Sequence, residues 1–377
     1  MRVIIEARSS KNVLPRPVLF LINLMLEIAR QQPADAFVIL TNETLALTNL
    51  PVNVTNRLIK TGLFKWVEDK WWYNLGLPQL LKRQKADLFV TIDNTHIKGY
   101  KTPCCHFIVN LPAAGPGFAN GYTRKWKRIY HNNQVAGILQ TAVAIITFSG
   151  YHKRMLVEKF KLPPEKCNHL RLCYHNTPLK WPEKESIKTR YSGGLEYFVF
   201  AGDIDQRHLL VELLKAYAEF KRWQKSNMQL IVTGSVTAWT QQFLTKLAYF
   251  KYRNDVHVIP DPTDDILKAL IGSAYALLYP ALNDHFPETV LLAMRADVPV
   301  IASPVPVIKE LANCAVIYPE PDNASGFAKS MQDIYKNERL REDVILSARN
   351  HMEQGKKYNL ATVCRNLLWQ TLDKNSY

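Results

Sequence analysis

Residues 279–301 read YPALNDHFPETVLLAMRADVPVI, and this stretch decides the fold. The apolar run before it, residues 274–278, predicts a strand ending at Tyr279-Pro280. A polar loop with Asp284 and His285 follows. Pro287-Glu288-Thr289 then opens an apolar helix over 290–294, and residues 298–302 predict the next strand. Strand, loop and helix N-terminus in that order is how a parallel α/β sheet turns free backbone N–H groups toward a phosphate. The alternation alone would suit a plain hydrophobic core equally well.

The residue identities carry more. Asp284, Phe286, Pro287, Glu288, Thr289, Val290, Leu291, Ala293, Met294, Pro299, Val300 and Ile301 fall on the pattern E-x-F-P-E-T-V-L-E-A-M, then a small residue and G-x-P-V-I. The segment therefore resembles the signature of the retaining, GT-B-fold glycosyltransferases of family 4. The resemblance implies that the two outer acidic positions bind a nucleotide-sugar donor, the first at a sugar hydroxyl and the second at the ribose. Here those positions are Asp284 and Leu292, and Asp297 stands where the family has glycine. A charge-assisted hydrogen bond is worth about 1.5–3 kcal/mol. Leu292 accepts none, so a nucleotide affinity weakened about ten- to a hundredfold is expected.

Composition sets the bounds. The 377 residues are too many for one ordinary core and suit two α/β domains. Hydrophobic content of 47% with 21% charged residues is that of a globular protein. The longest apolar run, residues 18–29, is broken by Asn23 and Glu27 and falls short of the roughly 20 residues that span a bilayer. The N-terminus reads as a first buried strand rather than a signal peptide, so a cytoplasmic chain is expected. Six cysteines without CxxC spacing point to reduced thiols. Charge is lopsided: residues 1–200 hold 28 Lys and Arg against 13 Asp and Glu, a difference of +15, whereas residues 201–377 hold 20 of each. The basic half suggests an anionic partner.

Apolar periodicity places alternating strands and helices along both halves. In the first, strands are expected at 3–6, 36–41, 87–92, 104–111 and 143–148, with helices at 18–31, 77–85 and 124–139. Ser149 is expected to cap the helix that carries Lys153. Residues 176–196, rich in Lys, Pro, Ser and Gly, read as a linker. Strands at 197–201, 229–233 and 256–259 and helices at 209–225, 240–251 and 264–271 precede the signature. The expected fold class is α/β of GT-B architecture, two Rossmann-like doubly wound parallel-sheet domains facing a cleft. Boundaries are expected at 1–180 for an acceptor-side domain and 181–360 for a donor-nucleotide domain. By resemblance, a C-terminal helix over 361–377 returns to the first domain.

The loop Gly202-Asp203-Ile204-Asp205-Gln206-Arg207-His208-Leu209 follows a strand and precedes a helix, the setting of a phosphate cradle. The family's loop is G-x-x-x-x-R-K-N, whose Arg and Lys grip the donor diphosphate. Arg207 matches, and His208 takes the lysine position, where it helps only when protonated. Arg207 and Asp284 are thus the catalytic candidates. Gly202, His208, Gly234, Phe286, Pro287, Glu288, Thr289 and Val290 are the donor-binding ones. No metal or cofactor is expected beyond the donor itself, since Arg207 offsets charge on the departing diphosphate.

The first half is less regular. The family's glycine loop near residues 10–15 is replaced by a glycine-free stretch in which Lys11 could meet an anion. The usual His-Asp pair aligns with Val109-Asn110, and His106 reads as a core histidine. Lys11, Asn110 and Lys153 are the acceptor-side candidates. Residues 63–77 interleave Trp66, Trp71, Trp72 and Tyr73 with Lys65 and Lys70, and residues 123–130 contribute Arg124, Lys125, Trp126, Lys127 and Arg128. Basic residues beside aromatics suit an anionic membrane surface, about 1 kcal/mol per charge. Lys125, Lys127 and Arg128 are the membrane-side candidates, and no recognisable nucleic-acid module competes.

The expected activity is hexose transfer from a nucleoside-diphosphate sugar to a glycan or lipid-linked acceptor, in cell-surface polysaccharide or lipopolysaccharide synthesis. The location is cytoplasmic, on the inner face of the membrane. The alternative is a degenerate GT-B protein acting as a binding or scaffold partner. It gathers the departures at residues 10–15, Val109-Asn110, His208, Leu292 and Asp297.

Overall fold

A computed structural model describes residues 1–8, 15–42, 50–59, 71–92, 101–109, 136–137, 139–172, 178–284, 286–355 and 359–375. The chain divides into two compact units, Met1–Arg171 with Asn359–Tyr377, and Leu172–Tyr358.

The first unit is built on a seven-stranded sheet. Its strands are β1 (Arg2–Glu6), β2 (Ala36–Thr41), β3 (Val54–Leu58), β4 (Leu88–Ile92), β5 (Cys104–Ile108), β6 (Ala144–Thr147) and β7 (Cys167–His169). Every pairing is parallel, in the order β3-β2-β1-β4-β5-β6-β7. Strands β4 and β5 are buried along their whole length, which is why they read as unbroken apolar runs. The helix Arg16–Gln31 lays Leu21, Ile22, Met25 and Ile28 into the core, with Pro17 in its first turn where no N–H is needed. The last helix, Leu360–Asn375, belongs to this unit and touches the first one, Thr362 Oγ1 donating to Gln31 Oε1 at 3.3 Å.

The second unit holds a five-stranded parallel sheet in the order β10-β9-β8-β11-β12. Its strands are β8 (Tyr197–Ala201), β9 (Gln229–Gly234), β10 (Val256–Pro260), β11 (Ala276–Tyr279) and β12 (Val300–Ala302). Strand β8 lies at the centre and is buried throughout.

One expectation needs correction, and two short strands lie beyond those expected. Residues 181–192, read as linker, form the α-helix Trp181–Ser192. Pro182 sits in its first turn, Glu183 Oε2 accepts from the Lys180 N–H at 2.8 Å, and Gly193 at φ +63° ends it. The helix buries only Lys188 and Ser192, so it leaves no apolar stripe to read. The edge strand β3 was missed because VTNRL is mostly polar and exposed, and β7 spans only Cys167–His169. The expected helix over 124–139 lies mainly outside the described residues.

Asp297, counted above among the departures, has a local explanation. It follows the helix Glu288–Arg295 and its cap Ala296 with φ +60°, the left-handed conformation that favours glycine. Arg349 grips it with both arms, Nε to Oδ1 at 2.7 Å and Nη2 to Oδ2 at 2.8 Å. The paired fork offsets the backbone cost. Asp297→Gly should therefore leave chemical-denaturation stability within about 0.5 kcal/mol, while Asp297→Ala, which keeps the strain and loses the fork, should cost about 1–2 kcal/mol. Equal effects from the two substitutions would contradict this reading.

Candidate functional site

Strand order in the second sheet reverses at β8, which pairs with β9 on one side and β11 on the other. Ligands of open α/β sheets bind outside the carboxyl ends of the strands at such a switch point. Three strand ends converge there. Gly202 follows β8, Gly234 ends β9 and Tyr279 ends β11. Gly234 has φ +142°, and a Cβ on it would lie 1.7 Å from the Gly202 carbonyl oxygen. Only glycine permits that approach.

Beyond Gly202 the chain makes a single tight turn, Gln206–His208, before the helix Leu210–Gln224. Asp205 caps the turn, its Oδ1 accepting from the Arg207 N–H at 2.9 Å. The Arg207 guanidinium donates to Asp205 Oδ2 at 2.6 Å through Nε and to Asp203 Oδ2 at 3.1 Å through Nη2. Burial alone would lower its pKa, but the charges of Asp205, Asp203 and Asp284 outweigh that and raise it. The Arg207 carbonyl accepts from the Leu282 N–H at 2.8 Å, tying this turn to the loop after β11.

His208 turns inward and is only 4% exposed. Its ring packs edge-on to Phe200 and Tyr279, with centroids at 5.2 and 5.4 Å. Nδ1 lies 3.0 Å from Asp205 Oδ1 and Nε2 3.3 Å from the Tyr279 hydroxyl. That hydroxyl donates to Asp284 Oδ2, and Asp284 Oδ1 accepts from the Phe286 N–H at 2.9 Å. Arg207, Asp205, His208, Tyr279 and Asp284 thus form one hydrogen-bonded chain across the ends of β8 and β11. Burial, then the neighbouring Asp284 charge and the hydrogen bond to it, push the Tyr279 phenol well above its ordinary value, so it stays protonated.

The signature helix, Glu288–Arg295, begins beside this chain with Pro287 at its cap position. Thr289 Oγ1 donates to the Ala201 carbonyl at 2.7 Å and pins the helix start to the end of β8. Glu288 and Val290 are buried, and Phe286 is half-buried. Leu292 is 1% exposed and packs as a core residue.

Residues 183–351, almost all of the second unit, match the family described as Glycosyl transferases group 1. That segment is similar to a group 1 glycosyltransferase domain. The chain is 28% identical over 148 residues to the O-antigen chain mannosyltransferase RfbU of Salmonella typhimurium, covering 39% of this chain and 40% of that protein. It is 22% identical over 225 residues to O-antigen chain mannosyltransferase B of Escherichia coli, 59% of this chain and 58% of that protein. The chain thus spans about two fifths and three fifths of these relatives' lengths. Among solved structures, WaaG, a glycosyltransferase involved in lipopolysaccharide biosynthesis, superposes with a TM-score of 0.78 at 14% identity, covering 98% of this chain and 99% of WaaG. Anabaena HepE in complex with UDP and glucose gives 0.73 at 12% identity, covering 100% and 99%. Such likeness establishes the fold, which is GT-B.

Within the second unit the structure brings Gly202, Arg207, His208, Gly234, Asp284 and the start of the Glu288–Arg295 helix to the ends of β8, β9 and β11. Asp203, Asp205 and Tyr279 had no role from sequence. The two carboxylates precede Arg207 by four and two positions, which is a readable charge cue, whereas Tyr279 looks like any strand-ending aromatic. In the first unit Ser149 caps the helix Gly150–Phe160 by accepting from the His152 N–H at 3.1 Å, and Lys153 is half-buried on it. His106 is buried on β5, its Nε2 3.1 Å from Cys104 Sγ. Lys11, Asn110, Lys125, Lys127 and Arg128 lie outside the described residues. Among the described residues no group of three or more His, Cys, Asp or Glu could hold a metal ion.

Asp205 sets a pH dependence. Burial pushes its carboxyl up, yet the hydrogen bonds and charges of His208 and Arg207 prevail and hold it below the ordinary value. A carboxylate so depressed stabilises the fold fully above the unfolded value of about 3.9 and loses that contribution as pH falls through the folded value. The difference in unfolding free energy between wild type and Asp205→Asn should be level from pH 7 to about pH 5 and shrink below about pH 4. A gap that widens on acidification would contradict the assignment.

Proposed function

We propose that the chain transfers a hexose from a nucleoside-diphosphate sugar to a glycan or lipid-linked acceptor, in the synthesis of a cell-surface polysaccharide or lipopolysaccharide. The observation that carries this reading is the meeting of Arg207, from the loop after β8, and Asp284, from the signature, in one hydrogen-bonded chain at the switch point. Arg207 holds the leaving diphosphate and offsets the charge that grows on it as the anomeric C–O bond breaks. Asp203, the more exposed of its two carboxylates, gives way to the phosphate, while Asp205 keeps the guanidinium aimed. Asp284 orients the sugar, and backbone N–H groups at the start of the Glu288–Arg295 helix add a positive field. Gly202 and Gly234 let the backbone approach the donor closely, beside Phe286, Pro287, Glu288, Thr289 and Val290. His208 sits beneath, on the protein side. Transfer proceeds with retention and without a metal, the guanidinium standing in for a cation. The mannosyltransferase names of the two curated relatives support a hexose donor.

A second reading, a GT-B binding or scaffold protein without transfer, is favoured by Leu292, whose buried side chain offers the ribose no acceptor. A thermal-shift series with millimolar UDP, GDP and their sugars separates the two. Bound ligand stabilises by RT ln(1 + [L]/Kd), so one nucleotide is expected to raise the melting temperature and Arg207→Ala to abolish the rise. A flat response to all of them would favour the scaffold.

We also propose that the first unit rests on an anionic membrane surface from the cytoplasmic side, with Lys11, Asn110 and Lys153 toward the acceptor. Trp71 and Leu75 are 58% and 51% exposed next to the buried Trp72, an apolar face that interfacial lipid would cover. Among the described residues no helix is long and apolar enough to cross a membrane. Neutralising Lys125, Lys127 and Arg128 together should cut co-sedimentation with anionic vesicles at least tenfold, at about 1 kcal/mol per charge. Unchanged pelleting would discard that patch.

A further inference from the structure

We propose that Ser303, anchored by Asp322, fixes the loop that carries Asp284 and is thereby a positioning residue for the sugar of the donor, a role that rests on the donor-site reading above. Strands β11 and β12 run in parallel register, Leu277 opposite Val300 and Tyr279 opposite Ala302. The ladder bonds follow that register. The Leu277 N–H donates to the Pro299 carbonyl at 2.9 Å, and the Ser303 N–H to the Tyr279 carbonyl at 3.1 Å. The next rung of a regular ladder would take the Ala281 N–H to the Ser303 carbonyl. It goes instead to the Ser303 side chain, whose Oγ accepts from that N–H at 3.1 Å. The Ser303 carbonyl accepts from the Val305 N–H at 2.7 Å, which turns the chain after β12 toward the helix Pro306–Ala312. A side-chain oxygen thus stands in for one rung where the two strands part.

That oxygen is a fixed acceptor. Ser303 is fully buried, and so is Ala281 beside it. The hydroxyl has one proton, which goes to Asp322 Oδ1 at 2.8 Å, so its lone pairs remain for Ala281. Asp322 comes from a third segment, the turn before the helix Ala324–Lys336. There Asn323 caps the helix by accepting from the Gly326 N–H at 3.1 Å. A buried N–H that loses its acceptor is costly, so the loop is expected to shift when the hydroxyl is removed. Ala281 is also the first of two consecutive N–H groups that set the loop's course. The Leu282 N–H donates to the Arg207 carbonyl at 2.8 Å. The loop is therefore held from both neighbours of β11, from the end of β12 through Ala281 and from the turn after β8 through Leu282. Two positions on, Asp284 closes back on the Tyr279 hydroxyl and on the Phe286 N–H. Ser303 acts on that carboxylate through the main chain of the loop.

Calorimetric affinities of the intact chain for UDP, GDP, UDP-glucose and GDP-mannose test this. The quantity to read is the ratio of sugar-nucleotide affinity to bare-nucleotide affinity, for whichever base binds. Ser303→Ala should lower that ratio about fivefold and leave the bare nucleotide within about twofold of wild type. Asp322→Ala, at an exposed position, should lower the ratio in the same direction. Adding it to Ser303→Ala should lower it no further, because Asp322 acts through the hydroxyl. In an Asp284→Ala background, where the sugar contact is already gone, Ser303→Ala should leave the ratio unchanged. Unchanged ratios in both single variants, or equal losses of nucleotide and sugar nucleotide, would overturn the positioning role. So would a full effect of Ser303→Ala in the absence of the Asp284 carboxylate. If Ser303→Ala does not fold, Asp322→Ala alone reads the same ratio. A wild type that binds none of the four ligands overturns the donor reading and this role with it, whereas the other contrary results overturn the role alone.

Discussion

Placing an imidazole between a carboxylate and a phenol, under the end of a parallel sheet, commits every neighbouring group to a role. Asp205 cannot at once cap its own turn, hold Arg207 and face His208 unless that turn keeps one geometry. Tyr279 cannot serve Asp284 unless the loop after β11 returns to it, and the Phe286 N–H secures that return. Buried polar groups are costly when unsatisfied, so the chain holds as a whole or loosens as a whole. Its members come from β8, β11 and the loops that follow them, which makes the chain a lock between the strands that flank the switch point.

That lock changes the weight of the departures from the family pattern. Asp297 is a solution to a backbone problem, a left-handed residue held by the Arg349 fork, and lies outside the hydrogen-bonded chain. His208 gives up the exposed cation of the family loop and turns inward to bridge Asp205 and Tyr279. Leu292 remains a true loss, because a buried leucine has nothing to offer a ribose. Two of the substitutions that looked alike in sequence thus have local partners of different kinds.

The fold was legible because its strands are buried on both faces and alternate with amphipathic helices, a pattern that periodicity reports directly. The strand at 197–201 and the helix start at Glu288 were readable to within a residue or two, and the loop around Arg207 fell in its expected place between strand and helix. What periodicity cannot report is a polar element. The helix Trp181–Ser192 passed for a linker and the strand Val54–Leu58 left no trace, since neither buries an apolar face. The direction in which His208 points was equally invisible. Only the tertiary placement of Tyr279, 71 positions away, distinguishes an inward-turned ring from one reaching for phosphate.

The most direct measurement is a double-mutant cycle on unfolding free energy between Asp205→Asn and Tyr279→Phe at neutral pH. The two side chains are joined through His208 and, by way of Arg207, through Asp284, so a continuous chain is expected to give a coupling above about 0.5 kcal/mol. Strict additivity of the two substitutions would show that the ends of β8 and β11 are stabilised independently, and that no such lock exists.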